Sequence, residues 1–123
     1  MVHRHFDCIV LGGGLIGLTA ALALSKLDLN IAIVERNPLE KLRKSSGDQR
    51  TSAISASGKV MLDTLGVWDL LKSNAEPILD IRVSEKNTKG FVHYCLVDAD
   101  NDQMGYFIEK EIIKKTLINS IKA

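Results

Sequence analysis

The sequence has 123 residues, of which 46% are hydrophobic and 25% charged, and its formal net charge is +1. That balance excludes an intrinsically disordered chain and limits the fold to a single domain. With basic and acidic residues nearly equal, and only three Phe, two Tyr and one Trp, there is neither a basic surface nor a stacking platform for nucleic acid.

Residues 6–11 (F-D-C-I-V-L) are a short apolar run that stops at glycine, which predicts a buried strand. Residues 8–25 carry no charge, follow His3-Arg4-His5 and include Ala21-Leu22-Ala23, features shared with a secretory signal. Asp7 at the edge and three successive glycines inside favour a folded segment instead, and the stretch is marginal for a membrane span of about 20 residues. Residues 15–27 predict a helix that is apolar almost all round and therefore buried on several sides. Residues 30–34 (N-I-A-I-V) read as a second buried strand ending in Glu35-Arg36. Strand, helix and strand in this span imply a right-handed parallel crossover.

Pro38 ends regular structure, and residues 40–50 read as a polar loop. A helix is predicted over residues 55–65, with Gly66 as its terminator, followed by a helical turn over 68–72 and then Pro77. Leu79, Ile81 and Val83 alternate with Asp80, Arg82 and Ser84, which predicts a half-buried strand. Residues 87–90 form its turn and 91–97 its hairpin partner. A polar loop over 98–105, a short strand over 106–108 and a closing helix over 111–121 complete the chain. The fold class expected is α/β, a Rossmann-type βαβ unit with an appended antiparallel β-hairpin. Its parts are the βαβ unit and following helices (1–76), the hairpin region (77–109) and the closing helix (110–123).

The chemistry is carried by Gly12-Gly13-Gly14-Leu15-Ile16-Gly17, a G-x-G-x-x-G run placed between strand and helix. Gly12 permits the tight turn, Gly14 lets backbone approach a pyrophosphate, and Gly17 keeps the helix close to the sheet, with Ala21 one turn on. Free N–H groups and the dipole at the helix start favour phosphate charge. Glu35 ends the second strand 18 positions after Gly17 (35 − 17), near the expected spacing of about 20. A carboxylate there accepts from a ribose hydroxyl and repels a 2′-phosphate. These residues predict an adenine dinucleotide site, and by themselves they leave FAD and NAD both open.

The segments D-C-I-V-L-G-G-G-L-I-G-L-T-A-A-L-A-L-S and I-A-I-V-E-R resemble the opening signature of FAD-dependent aromatic-ring hydroxylases. D-Q-R-T-S-A-I-S-A-S (48–57) is similar to the second block of that family. L-G-V-W-D-L-L (65–71), P-I-L-D-I-R-V-S (77–84) and G-Y-F-I-E (105–109) resemble its ubiquinone-biosynthesis branch. The resemblance implies FAD as cofactor and hydroxylation of an electron-rich aromatic ring, such as a polyprenyl phenol. It implies that Arg50 reaches the pyrophosphate or ribityl region, where a guanidinium can pair bidentately with phosphate, and that Arg36 lies near the adenosine end. The family often has Asn or Gln and then Arg after I-E; this chain departs from that pattern with Lys110 and Glu111, so no flavin contact is carried over there. No residue is assigned an acid or base role, because the cofactor carries the chemistry. The family's later motifs have no counterpart here, so the chain reads as an amino-terminal fragment, inactive alone. An NAD-dependent dehydrogenase fragment and a non-catalytic nucleotide-binding remnant are the competing readings.

The remaining signals are weaker. Cys8 and Cys95 make no disulfide framework, which points to a reducing, cytoplasmic setting, and both read as inert core thiols even with His93 beside Cys95. Asp98, Asp100, Asp102 and Glu109 match acidic positions of a calcium loop, but Gln103 stands where the turn needs glycine. His3 and His5 belong to a tail, and Lys114-Lys115 to the wet face of the last helix. Peripheral membrane contact is expected only through a lipid-borne substrate.

Overall fold

The computed structural model describes residues 4–44, 47–95 and 103–121. Strand β1 (Cys8–Leu11) pairs in parallel with β2 (Ile31–Val34), Cys8 opposite Ile31 and Leu11 opposite Val34. Helix α1 (Leu15–Ser25) makes the crossover. The expected βαβ unit is present, but its strands are not fully buried. Ile9, Leu11 and Val34 are exposed, because α1 covers only one face of this two-stranded sheet. The same holds for α1, which buries Leu18, Ala21 and Leu22 while Ile16 is 87% exposed. An all-round apolar helix was expected to be buried on several sides; here β1, β2 and α5 make its main contacts, Leu62 of α3 shares its core cluster, and part of its surface stays open.

The polar stretch after Pro38 is not all loop. Leu39–Arg43 form a one-turn helix, α2, with Lys41 and Leu42 N–H groups donating to the Pro38 carbonyl. Proline is tolerated at such a start because its ring sets φ and the position needs no amide donor. Thr51–Ser55 then form strand β3, which the polar composition concealed. Ser55 ends that strand and caps helix α3 (Ala56–Thr64), its hydroxyl accepting from Gly58 N–H at 3.1 Å. Gly66, at φ +75°, terminates the helix as expected, its N–H bonding Asp63 O at 2.8 Å while Val67 N–H bonds Leu62 O. Helix α4 (Trp68–Leu71) and a 3₁₀ turn (Lys72–Asn74) follow.

Strand β4 is only Glu76–Pro77. Strands β5 (Asp80–Ser84) and β6 (Phe91–Cys95) make the expected antiparallel hairpin, with Arg82 opposite His93. Residues 96 and 97 of the expected partner strand and 98–102 of the loop lie outside the described residues. Strand β7 (Gly105–Glu109) does not extend the hairpin. It sits between β3 and β4 in a three-stranded antiparallel sheet, Thr51 opposite Glu109 and Pro77 opposite Tyr106. Helix α5 (Lys110–Ser120) closes the chain.

The hairpin corrects two expectations. Every described residue of β5 and β6 is exposed, so the strand is not half-buried and Cys95 is not a core thiol. Alternation sorted the side chains as predicted, with Ile81, Val83, Val92 and Tyr94 on one face, but among the described residues no other element covers that face. His93 pairs with Asp80 across the strands.

The core lies between α1, α3, α4, β7 and α5. Leu18, Leu22, Leu62, Val67, Trp68, Leu71, Ile108, Leu117 and Ile118 form one buried cluster, with Trp68 and Tyr106 edge to face at 4.9 Å. Leu117, on α5, has no exposure and belongs to this cluster, so truncation leaves a void that the neighbours fill only in part. Leu117→Ala is expected to cost about 2–5 kcal/mol, read from the urea midpoint at unchanged slope.

Candidate functional site

The site forms where β1, α1 and β2 meet. Leu11 ends β1, and Gly12 turns the chain at φ +104°, a conformation L side chains rarely adopt, while its N–H extends the ladder to Val34 O at 2.8 Å. Gly14 is the N-cap of α1. It has no side chain to cap the helix and no acid stands in the first turn, so the leading N–H groups are left for an outside acceptor. A Cβ on Gly14 would meet nothing within 4 Å, and Gly14 and Leu15 line an open cavity of about 210 Å³. The cradle is therefore bare backbone, which fits a phosphate group. Gly17 is different in kind. A Cβ there would lie 2.0 Å from the Gly12 carbonyl oxygen and 3.5 Å from Val10, so the helix start rests directly on the loop and the first strand.

Glu35 turns toward this loop. Its Oε2 accepts from the Gly13 N–H at 2.6 Å, and its Oε1 accepts from the Asn37 backbone N–H at 2.9 Å and the Asn37 side-chain amide at 3.1 Å. The Asn37 and Gly13 amides hold its carboxyl at about 2, with smaller help from the Asn37 side chain and the Lys114 ammonium. The acid is thus ionised and fixed at the loop's edge, which also explains why Gly13 is glycine: a Cβ would come within 3.1 Å of the Glu35 side chain. Asn37 was missed as a site residue. Its signal was present, since Asn two positions after an acid and just before proline marks a turn in which side-chain amides bond locally.

The remaining predicted residues separate. Leu15 is half-buried and Ile16 exposed; both line a second cavity of about 580 Å³ along α1, with Thr19, Ala23, Ile54 and Met61. Arg36 is exposed and makes no ion pair among the described residues. Arg50 is 76% exposed and is gripped by Asp48, Nε to Oδ1 at 2.8 Å and an Nη nitrogen to Oδ2 at 2.7 Å. Side-chain and backbone hydrogen bonds from Arg50 hold the Asp48 carboxyl at about 2. Asp48, not Arg50, lines the cavity with Gly14. The first turn of α5 is tied to this corner, Lys110 N–H donating to Arg50 O at 2.9 Å. Lys114 and Lys115, expected on a wet face, are both only half-exposed.

A third cavity, about 480 Å³, opens beside Glu35 and is mostly apolar, with Leu18, Ile33, Leu42 and Ile118 in its walls. Its acid at one end and aliphatic walls beyond suit a sugar hydroxyl joined to a flat base. Asp98, Asp100 and Asp102 of the calcium pattern, and His3, lie outside the described residues. Among the described residues no group of three or more His, Cys, Asp or Glu could hold a metal ion, and no helix is long and apolar enough to cross a membrane.

No protein-family model matches the sequence. The chain is 35% identical over 94% of its length to ubiquinone hydroxylase UbiL of Rhodospirillum rubrum, spanning 27% of that protein. It is 31% identical over 98% of its length to FAD-dependent monooxygenase terM of Tolypocladium album, spanning 25% of it. In fold it is similar to 2-methyl-3-hydroxypyridine-5-carboxylic acid oxygenase, with a TM-score of 0.70 over 95% of this chain and 29% of that one, at 19% identity.

Proposed function

We propose that this chain, which belongs in sequence and fold to the FAD-dependent monooxygenase family that includes the ubiquinone hydroxylases, supplies the adenine-dinucleotide cradle of a flavin enzyme that hydroxylates an aromatic ring in quinone biosynthesis. The observation that carries the proposal is the joint placement of a bare helix start at Gly14 and an ionised Glu35 fastened to the same loop.

In this reading the diphosphate meets the free N–H groups after Gly14, where the α1 dipole favours negative charge and no side chain competes. Glu35 holds the adenosine ribose. Its Oε2 accepts only one protein hydrogen bond among the described residues, which leaves room for a hydroxyl donor, and its charge repels a 2′-phosphate. The base extends along the apolar cavity between β2 and α5. FAD, once bound, would pass electrons taken from a reduced nicotinamide to dioxygen and so supply the activated oxygen for ring hydroxylation. The chain's own residues bind and orient its adenosine half and do not act as acid or base.

The relatives are three to four times longer, and hydroxylation belongs to the whole of such a protein: among the described residues here the parallel sheet has two strands, and the hairpin's apolar face is open. Mixed with FAD, a reduced nicotinamide and a polyprenyl phenol, the 123-residue chain is expected to bind flavin without forming a hydroxylated product. Titration of FAD, followed by quenching of flavin fluorescence, is the direct test. Saturable binding that NAD does not compete away supports the proposal; binding of NAD in place of FAD would overturn it in favour of a dehydrogenase.

A further inference from the structure

Lysine is the residue that the glycine fingerprint does not account for at this site. The cavity of about 210 Å³ in front of Gly14 is bordered by Lys41 and Lys44 at α2, and by Lys110 and Lys114 on α5. Two acids, Asp48 and Glu111, border it as well. Asp48 is held bidentately by Arg50 and also feels the charge of Lys110, and Glu111 accepts from Lys115 at 2.8 Å. Among the described residues none of the four lysine ammonium groups has an ion-pair partner within hydrogen-bonding range. Glu35, whose carboxylate feels the Lys114 ammonium, has its oxygens turned to Gly13 and Asn37.

Like charges do not gather round a small concavity without a cost that an anion offsets. Lys110 and Lys114 lie one turn apart on the same face of α5, four residues from each other, where i and i+4 repulsion opposes helix formation. Both are half-buried, so water screens that repulsion less than it does on an open surface. The α1 N-terminus adds a positive field from the floor.

We infer that Lys110 and Lys114, assisted by Lys41 and Lys44, form a cationic rim that takes a diphosphate group, so that α5 binds ligand in addition to closing the core. The rim lies outside the strand–helix–strand unit that the fingerprint describes, and it fills the charge role that a guanidinium at Arg50, engaged by Asp48, does not fill. The inference rests on the dinucleotide reading for the identity of the anion, but not for the existence of the cationic cavity. It sets a preference: a ligand carrying two linked phosphates gains from rim and helix start together, whereas a nucleoside gains from neither.

The test is calorimetric titration of the 123-residue chain with ADP, inorganic pyrophosphate, adenosine and FAD at two salt concentrations. ADP and pyrophosphate are expected to bind, more weakly at high salt, and adenosine to bind far less. K110Q/K114Q is expected to weaken ADP about tenfold to a hundredfold and to flatten the salt dependence, since each lost contact is a charge-assisted one. K110R/K114R should restore both, and circular dichroism should show α5 intact in each. K41Q/K44Q gives a smaller loss in the same direction from a different helix. ADP affinity and salt dependence unchanged in K110Q/K114Q, or no binding of ADP by the wild type, would overturn the inference. If ADP and pyrophosphate bind through the lysines while FAD does not, the flavin reading fails and the rim stands. If FAD binds equally to wild type and K110Q/K114Q, the rim fails and the flavin reading stands.

Discussion

Gly17→Ala is expected to lower stability by about 1–3 kcal/mol and to abolish dinucleotide binding, the larger of the two losses being functional. The added carbon would sit 2.0 Å from the Gly12 carbonyl oxygen, a distance no contact tolerates, and the opposing atom is backbone that cannot rotate aside. Either α1 lifts from β1 or the loop shifts. Both break the geometry in which Gly12 extends the parallel ladder and Gly14 starts the helix. Buried contacts of Leu18 and Leu22 absorb part of the movement, so the fold survives in weakened form. Urea unfolding should show a lower midpoint at unchanged slope, and flavin fluorescence should show no quenching. Gly14→Ala makes the control: a Cβ there meets no protein atom within 4 Å, so stability should hold while affinity falls. Equal flavin binding by Gly17→Ala and wild type would show that the loop can adjust, contrary to this account.

The second large effect is at Glu35, through both pH and charge. Its native carboxyl lies at about 2 against an ordinary 4.5, so between these values the folded chain binds fewer protons than the unfolded one. The carboxylate's contribution to stability is therefore complete above about pH 4.5 and lost as pH falls toward 2. Glu35→Gln removes that contribution at neutral pH as well. Both carboxylate oxygens accept from N–H groups, and an amide must turn its own NH₂ toward either Gly13 or Asn37, donor against donor. The stability gap between wild type and Glu35→Gln should be wide at pH 6 and close at pH 2, measured by urea midpoints. FAD affinity should fall on the order of tenfold, because a positioned acceptor for the ribose is lost along with the loop's anchor. A gap that stays constant with pH would remove the carboxylate from the account.

Much of the site was legible because its parts are close in sequence and each has a local reason. Gly12 must turn, Gly14 must be bare, Gly17 must touch, and an acid must end the second strand; each condition selects a residue type at a fixed spacing. Asn37 was also local, and it was overlooked only because a ribose acid is read for what it binds and not for what holds it. Arg50 and Lys110 illustrate the opposite case. The resemblance placed Arg50 on the cofactor and set Lys110 aside, yet Asp48, two positions before it, claims the guanidinium, while Lys110 and Lys114 border the helix start.

By itself the sequence determined the strand–helix–strand unit with its parallel crossover, the glycine loop and the acid, because backbone conformation and side-chain periodicity there are settled within a few residues. Only the tertiary structure decided what covers what. Alternation assigned Ile81 and Val83 to one face of the hairpin, but whether that face is buried depends on a neighbour that no local pattern encodes. Polar Thr51 and Ser52 gave no strand signal, since what makes them a strand is pairing with residues 108 and 109, more than fifty positions away. The cationic rim likewise exists only because the core packs α5 against α1, bringing Lys114 to a loop that ended a hundred residues earlier.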